Sequence, residues 1–319
     1  MKKIIMLFLV CSMFLLTSCG KDDKLTVGSV IFEGTNEWFV EAIAGMKDAA
    51  AKQDAELILS DSRYDVNVER DLIQEQIKNK AEAIVVCPLT VAESGIALKE
   101  ASDLGTPVVT WNTVVNPPPT VQVVVDNTRL GAATGEYLGE YIKKNNIQKL
   151  TALCIINTEF SIGVERCDGF MKSVQPLVNE KKMEVAFSVK GHLYEETCVS
   201  VEKILTERPD INFIWCWNQM TTNAAVETVK KMGRNDIIIA GTDMSMALAK
   251  EMLATDAHVI AITTQQPYEM GYRAVDAAIK CVKGEKPEAS ISIPTLTYTK
   301  ENPQEIQKYI DEHKKFVKE

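Results

Sequence analysis

The chain is 319 residues long, 46% hydrophobic, 25% charged and 7% aromatic, with 35 Lys and Arg against 44 Asp and Glu for a formal net charge of −9. That length holds two domains at the usual ~100–200 residues each, and ordinary charge, Gly and Pro contents exclude a disordered, collagenous or disulfide-knot class. The acidic balance excludes a broad nucleic-acid surface, because polyanion binding rests on clustered cations, and only 3 histidines argue against a histidine-rich metal site.

The chain opens Met1-Lys2-Lys3 and continues as an apolar run over 4–16, broken only by Ser12. As a helix the run reaches about 20 Å, short of the ~30 Å hydrocarbon core of a bilayer. The pattern predicts a secretory signal over residues 1–18, not a membrane span. Leu16-Thr17-Ser18-Cys19-Gly20 resembles the bacterial lipobox, in which small side chains admit the peptidase and the thiol is acylated. Cys19 is therefore the expected lipidation residue and 19–24 a lipidated tether. The protein is expected outside the cytoplasm, touching the membrane by its lipid anchor only. A plain signal peptide with an incidental cysteine is the competing reading.

From residue 25, strand-like runs are predicted at 25–32, 56–60, 83–87, 107–111 and 121–125, then at 149–156, 184–189, 213–217, 237–241 and 259–263. Helical patterns alternate with them at 37–52, 66–80, 91–104, 130–145, 163–175, 195–207, 221–232, 245–253 and 268–283. The strands are near-continuous apolar runs, such as Ile84-Val85-Val86-Cys87, so both sheet faces are expected to be covered. Alternation of this kind indicates α/β sheets wound with helices on both faces. Two groups of five strands fit two similar doubly wound domains. A further strand-like run spans 291–298, and a charged helix over 301–317 carries Ile306, Tyr309, Ile310 and Phe316 on roughly one face.

Six cysteines follow Cys19: Cys87, Cys154, Cys167, Cys198, Cys216 and Cys281. None forms a CxxC pair, so a zinc knuckle or thioredoxin-type motif has no support. Free buried thiols are the simpler expectation, and disulfides in an oxidising compartment the alternative.

No GxSxG elbow, P-loop, HExxH or EF-hand loop occurs, and the three histidines share no metal-ligand spacing, so nothing calls for an enzyme, a metal or a cofactor. Polar and aromatic residues do collect just after strands, where open parallel sheets bind ligands. They are Asn36, Trp38 and Phe39 after the first strand, Asn112 after the fourth, Arg166 on the helix after the sixth, Asn218 after the eighth, Asp243 after the ninth and Gln265 after the tenth. Each alone reads equally well as a cap or turn residue. Trp38-Phe39 reads as an aromatic platform beside a cleft, with a staple fixing the start of its helix as the alternative.

Over about residues 25–300 the chain resembles the periplasmic sugar-binding proteins of the ribose-binding type, relatives of the ligand domain of lactose-repressor-like regulators. Asn36-Glu37-Trp38-Phe39 is similar to the family's Asn-Pro-aromatic-aromatic motif, and Val125-Asp126-Asn127 with Gly131 and Gly135 to its first crossover. Arg166-Cys167-Asp168-Gly169-Phe170 resembles the helix whose arginine reaches the sugar. Trp217-Asn218-Gln219-Met220, Gly241-Thr242-Asp243 and Thr264-Gln265-Gln266-Pro267 with Gly271 resemble segments that bind hydroxyls and form the return hinge.

The resemblance implies two doubly wound lobes joined by three crossings, near 126–128, 265–267 and 291–293, with ligand in the cleft between them. It places 25–126 with 267–291 in an N-terminal lobe and 127–266 with 292–319 in a C-terminal lobe. Arg166 would offer a fork of donors, Asp243 acceptors, and Asn36, Asn112, Asn218 and Gln265 both roles, with Trp38 and Phe39 on the ring's C–H faces. Where ribose-type members carry aspartate followed by arginine, this chain has Asn112-Thr113, so ribose itself is not carried over. The implied function is capture of a monosaccharide or polyol by a monomeric lipoprotein, by hinge closure, for delivery to the membrane subunits of an ABC importer. A sensory protein presenting ligand to a membrane kinase or chemoreceptor is the alternative, and a sugar-modifying enzyme a more distant one. A repressor is disfavoured by the signal at the N-terminus.

Overall fold

A computed structural model describes residues 24–316; the predicted signal, Cys19 and residues 20–23 of the tether lie outside the described residues. The first ten elements are β1 (Thr26–Ile31), α1 (Glu37–Lys52), β2 (Glu56–Asp61), α2 (Val66–Lys78), β3 (Ala83–Val86), α3 (Glu93–Asp103), β4 (Val108–Trp111), β5 (Val121–Val124), α4 (Asn127–Lys144) and β6 (Leu150–Ile156). There follow α5 (Ser161–Asn179), β7 (Met183–Lys190), α6 (Tyr194–Glu207), β8 (Phe213–Cys216), α7 (Gln219–Lys231) and β9 (Ile238–Thr242). The chain closes with α8 (Met246–Leu253), β10 (Val259–Thr264), α9 (Pro267–Val282), β11 (Ser290–Ser292), β12 (Leu296–Thr299) and α10 (Pro303–His313).

The strands form two six-stranded sheets, in the orders β2-β1-β3-β4-β5-β11 and β7-β6-β8-β9-β10-β12. Through the first five strands the second sheet repeats the first with every strand number raised by five, a doubly wound parallel order with its switch point beside β1 and β6. Apolar runs on every position are explained by this layering. In β3, Ala83 and Val85 join one buried cluster while Ile84 and Val86 join the cluster on the opposite face. In β8, Phe213 and Trp215 pack on one side and Ile214 and Cys216 on the other. The class is α/β, with two similar parallel lobes.

The run 291–298 is not one strand. Ile291 lies in β11, parallel to β5, whereas Tyr298 lies in β12, antiparallel to β10 in the other sheet. Pro294 lies between them, where its missing N–H would otherwise break a ladder. The chain thus passes between the layers at 125–126, 265–266 and 293–295. Helix α5 also runs on through Pro176 to Asn179, because Val174 and Leu177 are buried in the core below it. Helix α10 is shorter than the charged pattern, beginning at Pro303 as a first-turn proline favours.

Four glycines set the helix packing. In α1 and α5 the ninth residue is Gly45 and Gly169; in α9 and α4 the fifth is Gly271 and Gly131. A Cβ on Gly45 would lie 1.9 Å from the Tyr268 carbonyl oxygen and one on Gly271 2.1 Å from that of Ala42. The second lobe repeats this, with Gly131 at 1.9 Å from the Arg166 oxygen and Gly169 at 2.0 Å from that of Thr128. Each lobe therefore locks its helix pair backbone to backbone, and in the second lobe the contact falls on Arg166 itself.

The six cysteines among the described residues are all free thiols. Burial pushes the thiols of Cys87, Cys154 and Cys216 far above their usual range, as befits small core hydrophobes. Among the described residues no helix is long and apolar enough to cross a membrane.

Candidate functional site

The carboxyl ends of the two sheets face a common cleft. Asn36, Trp38, Phe39, Asn112, Arg166, Asn218, Asp243 and Gln265 all line one cavity of about 290 Å³ there. Their convergence follows from the repeated topology, since each follows a strand that ends at the same level. The topology also explains lining residues that the sequence reading passed over. Tyr64 follows β2 and His192 follows β7, the strands equivalent by the shift of five. Phe32, Ile162, Trp217, Gln219 and Met220 complete the wall. Applying the strand-end rule to β2 and β7 would have found Tyr64 and His192.

Arg166 is the centre of the polar side, 1% exposed. Its Nη1 donates to Asp243 Oδ2 at 2.7 Å, to the Trp217 carbonyl at 3.2 Å and to Thr242 Oγ1 at 3.4 Å. Its Nε donates to Asn127 Oδ1 at 3.0 Å. A guanidinium has five N–H groups, and Nη2 has no protein partner among the described residues. Asp243 Oδ1 accepts from Gln265 Nε2 at 3.4 Å, and Gln265 Oε1 is buried without a partner. The pair makes this side of the site neutral in sum.

Asn112 and Asp243 occupy equivalent places, immediately after β4 and β9, and both have left-handed backbone, with φ of 67° and 65°. Asn and Asp tolerate that region better than other side chains, and the turn swings each into the cleft. Asn36 and Asn218 are helix N-caps. The Asn36 oxygen accepts from the Phe39 N–H at 3.1 Å, and the Asn218 oxygen from Thr221 N–H at 2.9 Å and Oγ1 at 2.8 Å. Their carbonyls are thus committed, which narrows the expected double role to donation by the amide NH₂.

Aromatic faces flank these groups. Trp38 stacks on Trp111 with centroids 5.5 Å apart and planes at 16°, and Phe39, almost fully buried, meets both edge-on. The indole N–H groups of Trp38 and Trp111 are buried and unpartnered. On the facing lobe His192 stacks on Trp217, whose N–H donates to the Gly191 carbonyl at 2.6 Å. The site therefore offers donors, acceptors and π-faces with no net charge. It holds no nucleophile–base pair, and among the described residues no group of three or more His, Cys, Asp or Glu could hold a metal.

Two repeated α/β lobes around a polar cleft define a two-lobed binding protein. Over residues 27–286 the chain matches the periplasmic binding protein domain, and it belongs to that family. It is by that membership a binding protein and not an enzyme. It is 24% identical over 312 residues to the ribose import binding protein RbsB of Bacillus subtilis (strain 168), covering 92% of this chain and 98% of that one. It is 23% identical to the ABC transporter periplasmic-binding protein YphF of Escherichia coli (strain K12), covering 88% and 87%. A solute-binding protein from Bacillus halodurans C-125 with bound myo-inositol has the same fold, with a TM-score of 0.78 at 21% identity over 92% of this chain and 99% of that one.

Proposed function

We propose that this chain is an extracytoplasmic, lipid-anchored protein that captures a monosaccharide or related polyol between its lobes and delivers it to an ABC importer. The observation that carries the reading is the neutral Arg166–Asp243–Gln265 cluster facing stacked indoles across one cavity. A sugar hydroxyl both donates and accepts, and its ring presents apolar C–H faces, so it uses every group in that set. A charged solute would leave one member of the ion pair opposed. Relatives whose names specify ribose import and a neighbour holding myo-inositol agree with a neutral polyhydroxylated ligand. Bound ligand touching both lobes would favour the closed state by hinge motion at the three crossings, which divide the chain close to 126, 266 and 294.

A thermal-shift screen over pentoses, hexoses, deoxy sugars and polyols tests the ligand class. One or a few should stabilise the protein by about 2.7 kcal/mol at 100-fold excess over Kd; a blank panel with folded protein contradicts the reading. The anchor is tested by Cys19→Ser, which should move the protein from the membrane to the soluble fraction of cells.

A further inference from the structure

The cleft continues beyond the polar cluster into a second chamber of about 420 Å³. Phe32, Tyr64, Asn112, Ile162, His192 and Trp217 line both chambers, so the two adjoin. Both are walled largely by apolar side chains, but their polar groups differ. Arg166, Asp243, Gln265, Asn36 and Asn218 line only the first. The second adds Leu89, Val91 and Phe160 together with Thr90, Thr113, Glu159 and Ser161; Thr90 is bonded to Ser94, and Glu159 lies 3.6 Å from Lys190.

Its rim also exposes large apolar side chains to water. Tyr64 is 52% exposed, Val91 42% and Phe160 36%. Tyr64 is held at this rim with φ of 62°, an outlying conformation for a bulky residue, with its ring 5.2 Å from that of Phe32. Phe160 lies against His192 at 5.1 Å, and the buried Nδ1 of His192 has no partner. Hydroxyl-binding groups gathered in one chamber and large apolar side chains exposed at the rim of the other are matched by a ligand with the same division.

Resting on the sugar-binding reading, we propose that the physiological ligand is a sugar or polyol carrying an apolar substituent. Its hydroxyls meet Arg166, Asp243 and Gln265, and the substituent fills the chamber walled by Phe160, Tyr64, Leu89 and Val91. A bare monosaccharide would leave these side chains to be buried only against one another as the lobes close, with no ligand surface to cover them.

Calorimetric titration of matched pairs tests this: D-ribose against 5-methylthio-D-ribose, and D-glucose and D-galactose against their methyl and phenyl β-glycosides. In the wild-type protein at least one substituted compound should bind about tenfold or more tighter than its parent, the discrimination a hydrophobic pocket gives for added apolar groups. In Phe160→Ala with Val91→Ala, both partly exposed positions, that ratio should fall below about threefold, the affinity for the parent sugar remaining as in wild type. If every parent binds as tightly as its derivatives, the proposal is overturned while the sugar reading stands. If neither parents nor derivatives bind, both fall together. An equal loss of parent and derivative in the double variant would also overturn it, because the chamber would then not be selective for the substituent.

Discussion

Arg166 and Asp243 are joined by a 2.7 Å ion pair whose side chains are 2% and 11% exposed, with the arginine delivered by α5 and the aspartate by the left-handed turn after β9. Removing one partner leaves the other charged and buried. Arg166→Ala should therefore cost about 3–5 kcal/mol of folding stability, whereas Arg166→Met combined with Asp243→Leu should recover much of it. Urea unfolding of the two single variants and the double variant measures the coupling; a double variant as unstable as the sum of the singles contradicts it. Loss of binding in Arg166→Ala is consequently interpretable only beside its stability.

The cap at Asn218 allows binding and folding to be separated. Asn218→Ala should cost about 1 kcal/mol by uncapping α7. Asn218→Asp keeps the acceptor and adds a favourable charge at the helix N-terminus, but removes the amide donor. Its melting temperature should match or exceed wild type while sugar affinity falls. Affinity unchanged in Asn218→Asp would remove this residue from the site.

Two glycines of α4 should respond in opposite senses. Gly139 has only Leu177 Cδ2 at 4.0 Å from an added Cβ, so Gly139→Ala should stabilise by about 0.5–1 kcal/mol through helix propensity. Gly131→Ala drives a methyl group into the Arg166 carbonyl and should destabilise by about 1–3 kcal/mol or more. Denaturation midpoints of the pair check this, and equal shifts would contradict the backbone contact.

Glu41 gives the protein a pH dependence. It is 3% exposed beneath α10, and burial, with Glu37 nearby, pushes its carboxyl up to about 8. Burial lowers the His313 imidazole, 3.5 Å away, so both groups are driven toward their neutral forms. An acid whose folded pKa is raised from 4.5 to about 8 stabilises most below 4.5, and that contribution is lost as pH climbs through the window to about 8. Glu41→Gln cannot ionise. Its folding stability relative to wild type, measured by urea unfolding, should rise steadily between pH 5 and 8, by up to about 1.4 kcal/mol per pH unit. A constant difference across that range would show that Glu41 is ionised throughout.

The ten strands preceding 290 are each found within one residue of their predicted ends, because a parallel strand covered on both faces is a continuous apolar run bounded by polar turns. The split at Pro294 was not legible, since β11 and β12 join different sheets while forming one apolar stretch. The strand-end residues could be named from the sequence, but their division of labour could not. A cap was one open reading of Asn36 and Asn218, and the structure spends their oxygens that way; nothing local shows that Asn112 and Asp243 share a left-handed turn. Glu41 is equally hidden: a charged residue in a helix reads as surface until α10 is seen to cover it. Tyr64 and His192 were within reach of the strand-end rule, since each follows a predicted strand, β2 or β7, and the repeat shows these to be the same strand in two lobes.

A crystal structure of the protein with its best-binding sugar decides whether a neutral sugar sits between the lobes on the Arg166 side. The ligand's hydroxyls should lie within hydrogen-bond distance of Arg166 Nη2 and Asp243, with its ring against Trp38. Ligand found instead in the 410 Å³ cavity bounded by Glu41, Tyr268 and Tyr309, or outside the cleft altogether, would contradict the account.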